Sequence, residues 1–129
     1  MSNRNNYSSG AIWEDKVGYS RAVKVGNHIE VSGTVASDQN GNVVGKDDPY
    51  LQTRFIIQKI QKALISAGAS LQDVVRTRMF VTDISYFEDF GRAHAEFFQT
   101  IKPATSMLEV KGLVAPDFLI EIEATAIID

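Results

Sequence analysis

The strongest constraint in the chain is one apolar stripe at helical spacing: Leu51, Phe55, Ile56, Ile60, Ala63 and Leu64. Asp47-Asp48-Pro49 precedes it. An aspartate can accept hydrogen bonds from the free N–H groups of a first helical turn, and proline is pre-set for that turn. Gly68 stands where a left-handed residue would close the helix. A helix with a single apolar face must lie on another layer. The runs on either side of it supply that layer, because they read as strands.

Tyr19 to Val25 and His28 to Val35 alternate around Gly26-Asn27, a hairpin pattern in which glycine and asparagine tolerate positive φ. Ser37 to Gly45 has loop chemistry, with Asn40-Gly41 at its tip. Ser70 to Asp73 reads as a short capped turn leading into a strand from Val74 to Thr82. One face of that strand carries Val75, Thr77, Met79 and Val81; the other carries Val74, Arg76, Arg78 and Phe80. Ser85 and Glu88 have capping-box spacing before a second amphipathic helix containing Phe87, Phe90, Ala93, His94 and Phe97. Ile101-Lys102-Pro103 ends that helix. A strand from about Thr105 to Val110 follows, then a loop from Gly112 to Pro116 and a final strand from Phe118 to Ile128.

The expected order is ββαβαββ, an α+β domain with both helices on one face of a sheet. Residues 1–18 are expected as a loop or arm against the body, with Trp13 packing on a neighbouring surface. The second sheet face then carries Glu121, Leu119, Val81 and the arginine-bearing strand together. That mixture favours sheets facing one another in a symmetric oligomer over a simply solvated face.

The chain of 129 residues fits one domain, which at this length buries about two thirds of its unfolded surface without a staple. There is no cysteine, so thiolate chemistry and disulfides are excluded. With 13 basic and 16 acidic residues the net charge is −3, which argues against a nucleic-acid partner. No apolar run approaches the length needed to cross a bilayer, the amino terminus has no signal-like apolar segment, and a cytoplasmic location is expected.

Few groups carry chemistry. His28 and His94 lie far apart without metal-ligand spacing, so no metal is expected; His28 reads as solvated and His94 as half-buried on its helix. No nucleophile elbow, Walker loop or dinucleotide fingerprint occurs. Glu121 and Glu123 project from the same strand face. A carboxylate there beside apolar residues can act as a base, although interface or solvent ion pairing is the commoner fate. Tyr19 and Arg21 share a strand face, and Arg21 offers a planar fork suited to a substrate carboxylate; most such arginines pair with a surface acid instead.

Several runs carry a resemblance. Gly18 to Asn27, then Val31-Ser32-Gly33, is similar to the opening hairpin of the Rid family of enamine/imine deaminases, also known as the YjgF or L-PSP endoribonuclease family. Gln52-Thr53-Arg54, Ala67 to Leu71, Asp73-Val74-Val75, Val81-Thr82-Asp83, Phe97-Phe98, Lys102-Pro103-Ala104, Glu109-Val110 and Glu121 to Ala124 continue it in order. The resemblance implies a chorismate-mutase-like α+β fold and a homotrimer with clefts between subunits. It also implies hydrolysis of an α-imino or enamino acid to a 2-keto acid and ammonia, with no cofactor.

By the same resemblance, Glu121 positions the attacking water, Tyr19 lines the cleft, and Ser32 and Gly33 belong to the substrate-binding hairpin. Met107 places a backbone group near the imine nitrogen. Where such proteins carry a carboxylate-clamping arginine, this chain has Thr105. A threonine hydroxyl cannot replace a charge-assisted bidentate pair. Arg21 is the candidate substitute clamp, with Arg78 second. The other function classes are a catalytically inactive metabolite-binding trimer and an endoribonuclease or translation inhibitor.

Overall fold

In the computed structural model, residues 3–129 are described. Among them six strands form one mixed sheet: β1 (Arg4–Tyr7), β2 (Ala22–Val25), β3 (His28–Val35), β4 (Val74–Val81), β5 (Ala104–Glu109) and β6 (Ile120–Ile127). The helices are α1 (Ile12–Val17), α2 (Pro49–Ser66) and α3 (Phe87–Phe98). The spatial order is β1-β2-β3-β6-β4-β5; only β4 and β5 run parallel, joined through α3. The α+β reading, with α2 and α3 on one sheet face, is what the structure has.

Helix α2 forms where its stripe and caps require it. Asp48 accepts from the Leu51 N–H at 3.0 Å, Pro49 opens the first turn, and Gly68 is left-handed just past the end. Its buried Ile56, Ile57, Ile60 and Leu64 pack over Ile29, Val31, Met79, Ile120 and Ile122. Inside this contact Gln52 is fully buried and saturated by backbone. Its Nε2 donates to the Gly45 and Asp117 carbonyls, and its Oε1 accepts from Leu119 N–H. That side chain ties the 37–45 loop to the start of β6.

Four expectations need correction. The presumed arm contains β1, paired antiparallel with β2, and the short helix α1. Helix α1 has no buried apolar stripe to announce it, since Ile12, Trp13 and Val17 are exposed. It is held by buried Glu14, whose carboxylate accepts from the Ser9 backbone and hydroxyl. Trp13 is about half exposed at 54%, with the Lys16 ammonium over its ring. Strand β2 begins at Ala22, so Tyr19 and Arg21 precede it in the turn that leaves α1, where Tyr19 N–H bonds the Glu14 carbonyl.

In β4 the faces are not continuous. An extra residue between Val74 and Arg76 shifts the register against β6, so that Val74 is buried and Val75 exposed. Finally, Ser85 does not cap α3; Asp83 caps a 3-10 turn at Ile84–Tyr86 by accepting from Ser85 N–H, and α3 continues directly from it.

Candidate functional site

The alternation along β6 places Ile120, Ile122 and Ala124 against the helices and sends Glu121 and Glu123 to the uncovered face. Opposite Glu123, β3 carries one extra residue: Val31 pairs with Ala124, but Thr34 pairs with Ile122 and Val35 with Glu121. The bulge falls on Ser32-Gly33, and bulges re-aim side chains beside sites. Its consequence is a close approach. A Cβ on Gly33 would lie 2.4 Å from Glu121 Oε2, so only glycine admits the carboxylate there. Burial pushes the Glu121 carboxyl above its ordinary value; repulsion from Glu123 adds to the rise, and the Arg21 charge opposes it.

Arg21 reaches the same bulge from the other side, donating from Nη2 to the Gly33 carbonyl at 2.8 Å. Its Nε is buried without a hydrogen-bond partner. The guanidinium carbon lies 5.7 Å from the centre of the Tyr19 ring, a cation–π distance. Ser32 closes the hairpin, its hydroxyl donating to the Ser20 carbonyl and its N–H to the Arg21 carbonyl. Tyr19, Arg21, Ser32, Gly33 and Glu121 are thus brought together. Tyr19 and Ser32 also line a cavity of about 450 Å³, with Arg4, Asn6, Glu14, Asp15, Gly18, Ser20 and Val23 as its other walls.

Thr105 and Met107 are not part of this group. Both lie on edge strand β5 and point to the helix-covered side, Met107 packing against the core. Thr105 Oγ1 is 2.7 Å from Thr77 Oγ1, which is 2.9 Å from His94 Nε2. Burial lowers the His94 pKa, and its ring packs on Phe98. A second cavity of about 300 Å³ opens here. Arg78 stands on the uncovered face and is already engaged, 3.9 Å from the Glu123 carboxylate and 3.4 Å from the Thr125 hydroxyl.

The sequence and fold have known counterparts. The sequence matches the endoribonuclease L-PSP family over residues 11–128. The chain belongs to that family. A solved member of the YjgF/YER057c/UK114 family from Mycobacterium tuberculosis is 48% identical, with 97% of this chain and 99% of that one covered and a TM-score of 0.89. A Rid-family protein from Yersinia pestis is 27% identical over 97% of this chain and 99% of its own, with a TM-score of 0.85. An uncharacterized protein of Streptomyces coelicolor is 33% identical, covering 92% of this chain and 87% of its own.

For this L-PSP family member, reading the sequence missed one contributor. Lys59, on the flank of the α2 stripe, donates to the Val35 and Ser37 carbonyls at 2.8 and 2.9 Å. Burial, with repulsion from Arg21, pulls its pKa down to about 8 against the opposing pull of Asp38. Lys59 and Arg21 thus hold the alternate carbonyls of Gly33, Val35 and Ser37, along β3 and just past its end. A lysine beside Phe55, Ile56 and Ile60 was the available signal. Among the described residues no cluster of His, Asp and Glu suited to a metal occurs, and no helix is long and apolar enough to cross a membrane.

Proposed function

We propose that this protein hydrolyses an α-imino or enamino acid to a 2-keto acid and ammonia, in clefts completed between the copies of a homotrimer. The observation that carries the reading is the Glu121 carboxylate seated on Gly33, with a raised pKa, beside Arg21. An ionised Glu121 accepts a proton from water as the oxygen attacks the C=N carbon. It then returns the proton to the nitrogen. In the resulting carbinolamine Glu121 takes the hydroxyl proton and passes it to the amino group, so the C–N bond breaks as the C=O forms and keto acid and ammonia leave.

The carboxylate of the substrate falls to Arg21. Thr105 is neutral and its hydroxyl is committed to Thr77 and Pro103, whereas Arg78 is committed to Glu123 and Thr125. Arg21 has a donor without a partner, and an orphaned buried N–H costs about 1–3 kcal/mol, recovered when an acceptor arrives. Placement supports the second copy. Thr105 and Met107 lie two strands from Glu121, about 10 Å across the sheet, and on its opposite face. Both ends of the family's site can meet only if another chain supplies one of them.

The test generates an imine with an amino-acid dehydratase and follows its competition between hydrolysis and semicarbazide trapping. Wild type should accelerate release of the keto acid, Arg21→Ala should lose at least tenfold, and the mass in solution should be three chains. No acceleration of any imine by the wild type, or a monomer at micromolar concentration, overturns the proposal. Tight ligand binding without turnover selects the metabolite-binding trimer instead.

A further inference from the structure

Strand β3 loses one neighbour part-way along. Its register with β2 stops at Ala22 and Val31, and only the Ser32 N–H bond to the Arg21 carbonyl continues it. Two side chains take the carbonyls beyond. Arg21 Nη2 donates to Gly33 at 2.8 Å. The Lys59 ammonium donates to Val35 at 2.8 Å and to Ser37 at 2.9 Å, with the Ser37 hydroxyl at 3.4 Å. Its three N–H groups thus meet three acceptors, and bonds from a charged donor are the stronger kind. Lys59 keeps this position against both burial and the Arg21 charge.

The residues held in this way are the ones that seat Glu121. Gly33 leaves the space that the carboxylate fills, and Val35 is the register partner of Glu121 across the β3–β6 ladder. On the other side of β6, Phe80 of β4 pairs with Glu121 in a register that runs unbroken from Arg76 to Val81. The β3 side is the one that a bulge interrupts next to the site, and a bulge disrupts the ladder locally. Lys59 braces that weaker side from α2, whose Ile56, Ile57, Ile60 and Leu64 are locked in the core.

We propose that Lys59 is a positioning residue for the Glu121 carboxylate, acting through the Val35 and Ser37 carbonyls. The inference rests on the reading above only in taking Glu121 as the base. Without these bonds β3 relaxes beyond its bulge and water reaches the carboxylate. The base then loses its alignment and part of the burial that raises its pKa. The sign separates this from a simple charge effect. Removing a nearby cation raises a carboxyl pKa, whereas opening its seat to water lowers it.

Two variants test the role, and both remove the charge. Lys59→Met also removes every donor, while Lys59→Gln keeps two N–H groups. Carbon NMR of glutamate-labelled protein would follow Glu121, its signal assigned by its loss in Glu121→Gln. The carboxyl should titrate at lower pH in Lys59→Met than in wild type, with Lys59→Gln between them. In the imine assay Lys59→Met should lose about tenfold in kcat with KM held within about twofold, the split expected of a misplaced base. An unchanged or higher Glu121 midpoint overturns the inference whatever the activity. Should circular dichroism show Lys59→Met unfolded, Lys59→Gln decides by the same sign. A lowered midpoint in a protein that hydrolyses no imine supports the positioning role and removes the catalytic reading. Imine hydrolysis with midpoint and kcat both unmoved does the reverse.

Discussion

The two faces of the sheet solve different problems with similar residue types. On the uncovered face, Glu121 and Arg21 converge on Gly33 without neutralising one another fully, so a carboxyl with a raised pKa and an unpartnered N–H coexist at one bulge. On the helix-covered face, His94, Thr77 and Thr105 form an uncharged chain of hydroxyls and imidazole, each group partnered. The first arrangement holds unsatisfied capacity and is suited to chemistry. The second spends its capacity on joining β4, β5 and α3, and is suited to stability.

If that contrast holds, Glu121→Gln should give the largest effect, lowering imine hydrolysis by about 100-fold or more, the usual contribution of a positioned general base. The same change should raise thermal stability at neutral pH. A carboxyl with a raised folded-state pKa favours folding when protonated, and that contribution is lost as pH rises through the folded value. The gain over wild type should therefore vanish below the ordinary carboxylate range, where both side chains are uncharged. A melting curve of the variant that tracks wild type at pH 7 would break this half of the comparison.

Gly33→Ala comes next. The added methyl would displace the Glu121 carboxylate, the end of a flexible side chain, so a roughly tenfold loss of activity is expected with little change of midpoint in a denaturant titration. On the other face, Thr77→Val should leave His94 and Thr105 each short of a partner. Its expected cost is about 1–3 kcal/mol of stability, with less effect on turnover than either change at the bulge. A reversal of that order would mean that the hydroxyl chain, not the bulge, serves the reaction. The smallest effect is a pH profile. Activity should fall on the acid side at a pH above the usual carboxylate range, as Glu121 takes up its proton.

Much of this was legible in the sequence where period and caps agreed. The α2 stripe between Asp48 and Gly68, and the alternation that turns Glu121 away from Ile120 and Ile122, both follow from side-chain direction alone. What was not legible depended on single extra residues or on polar anchoring. The bulge at Ser32-Gly33 is what lets Glu121 lie on the chain, and alternation contains no sign of it. The bulge after Val74 reversed the expected faces of Val74 and Val75 for the same reason. Helix α1 escaped because Glu14 and Ser9 hold it by hydrogen bonds, not by a buried apolar face. The separation of Thr105 from Glu121 is a matter of strand order, which local patterns do not encode.

The most direct test is the rate at which a freshly generated 2-iminobutanoate yields 2-ketobutanoate with equal amounts of wild-type and Glu121→Gln protein, both shown to be folded and of the same mass. The wild type should shorten the imine lifetime and the variant should leave it near that in buffer. Equal acceleration by the two proteins would contradict the role assigned to the carboxylate on Gly33, and with it the site.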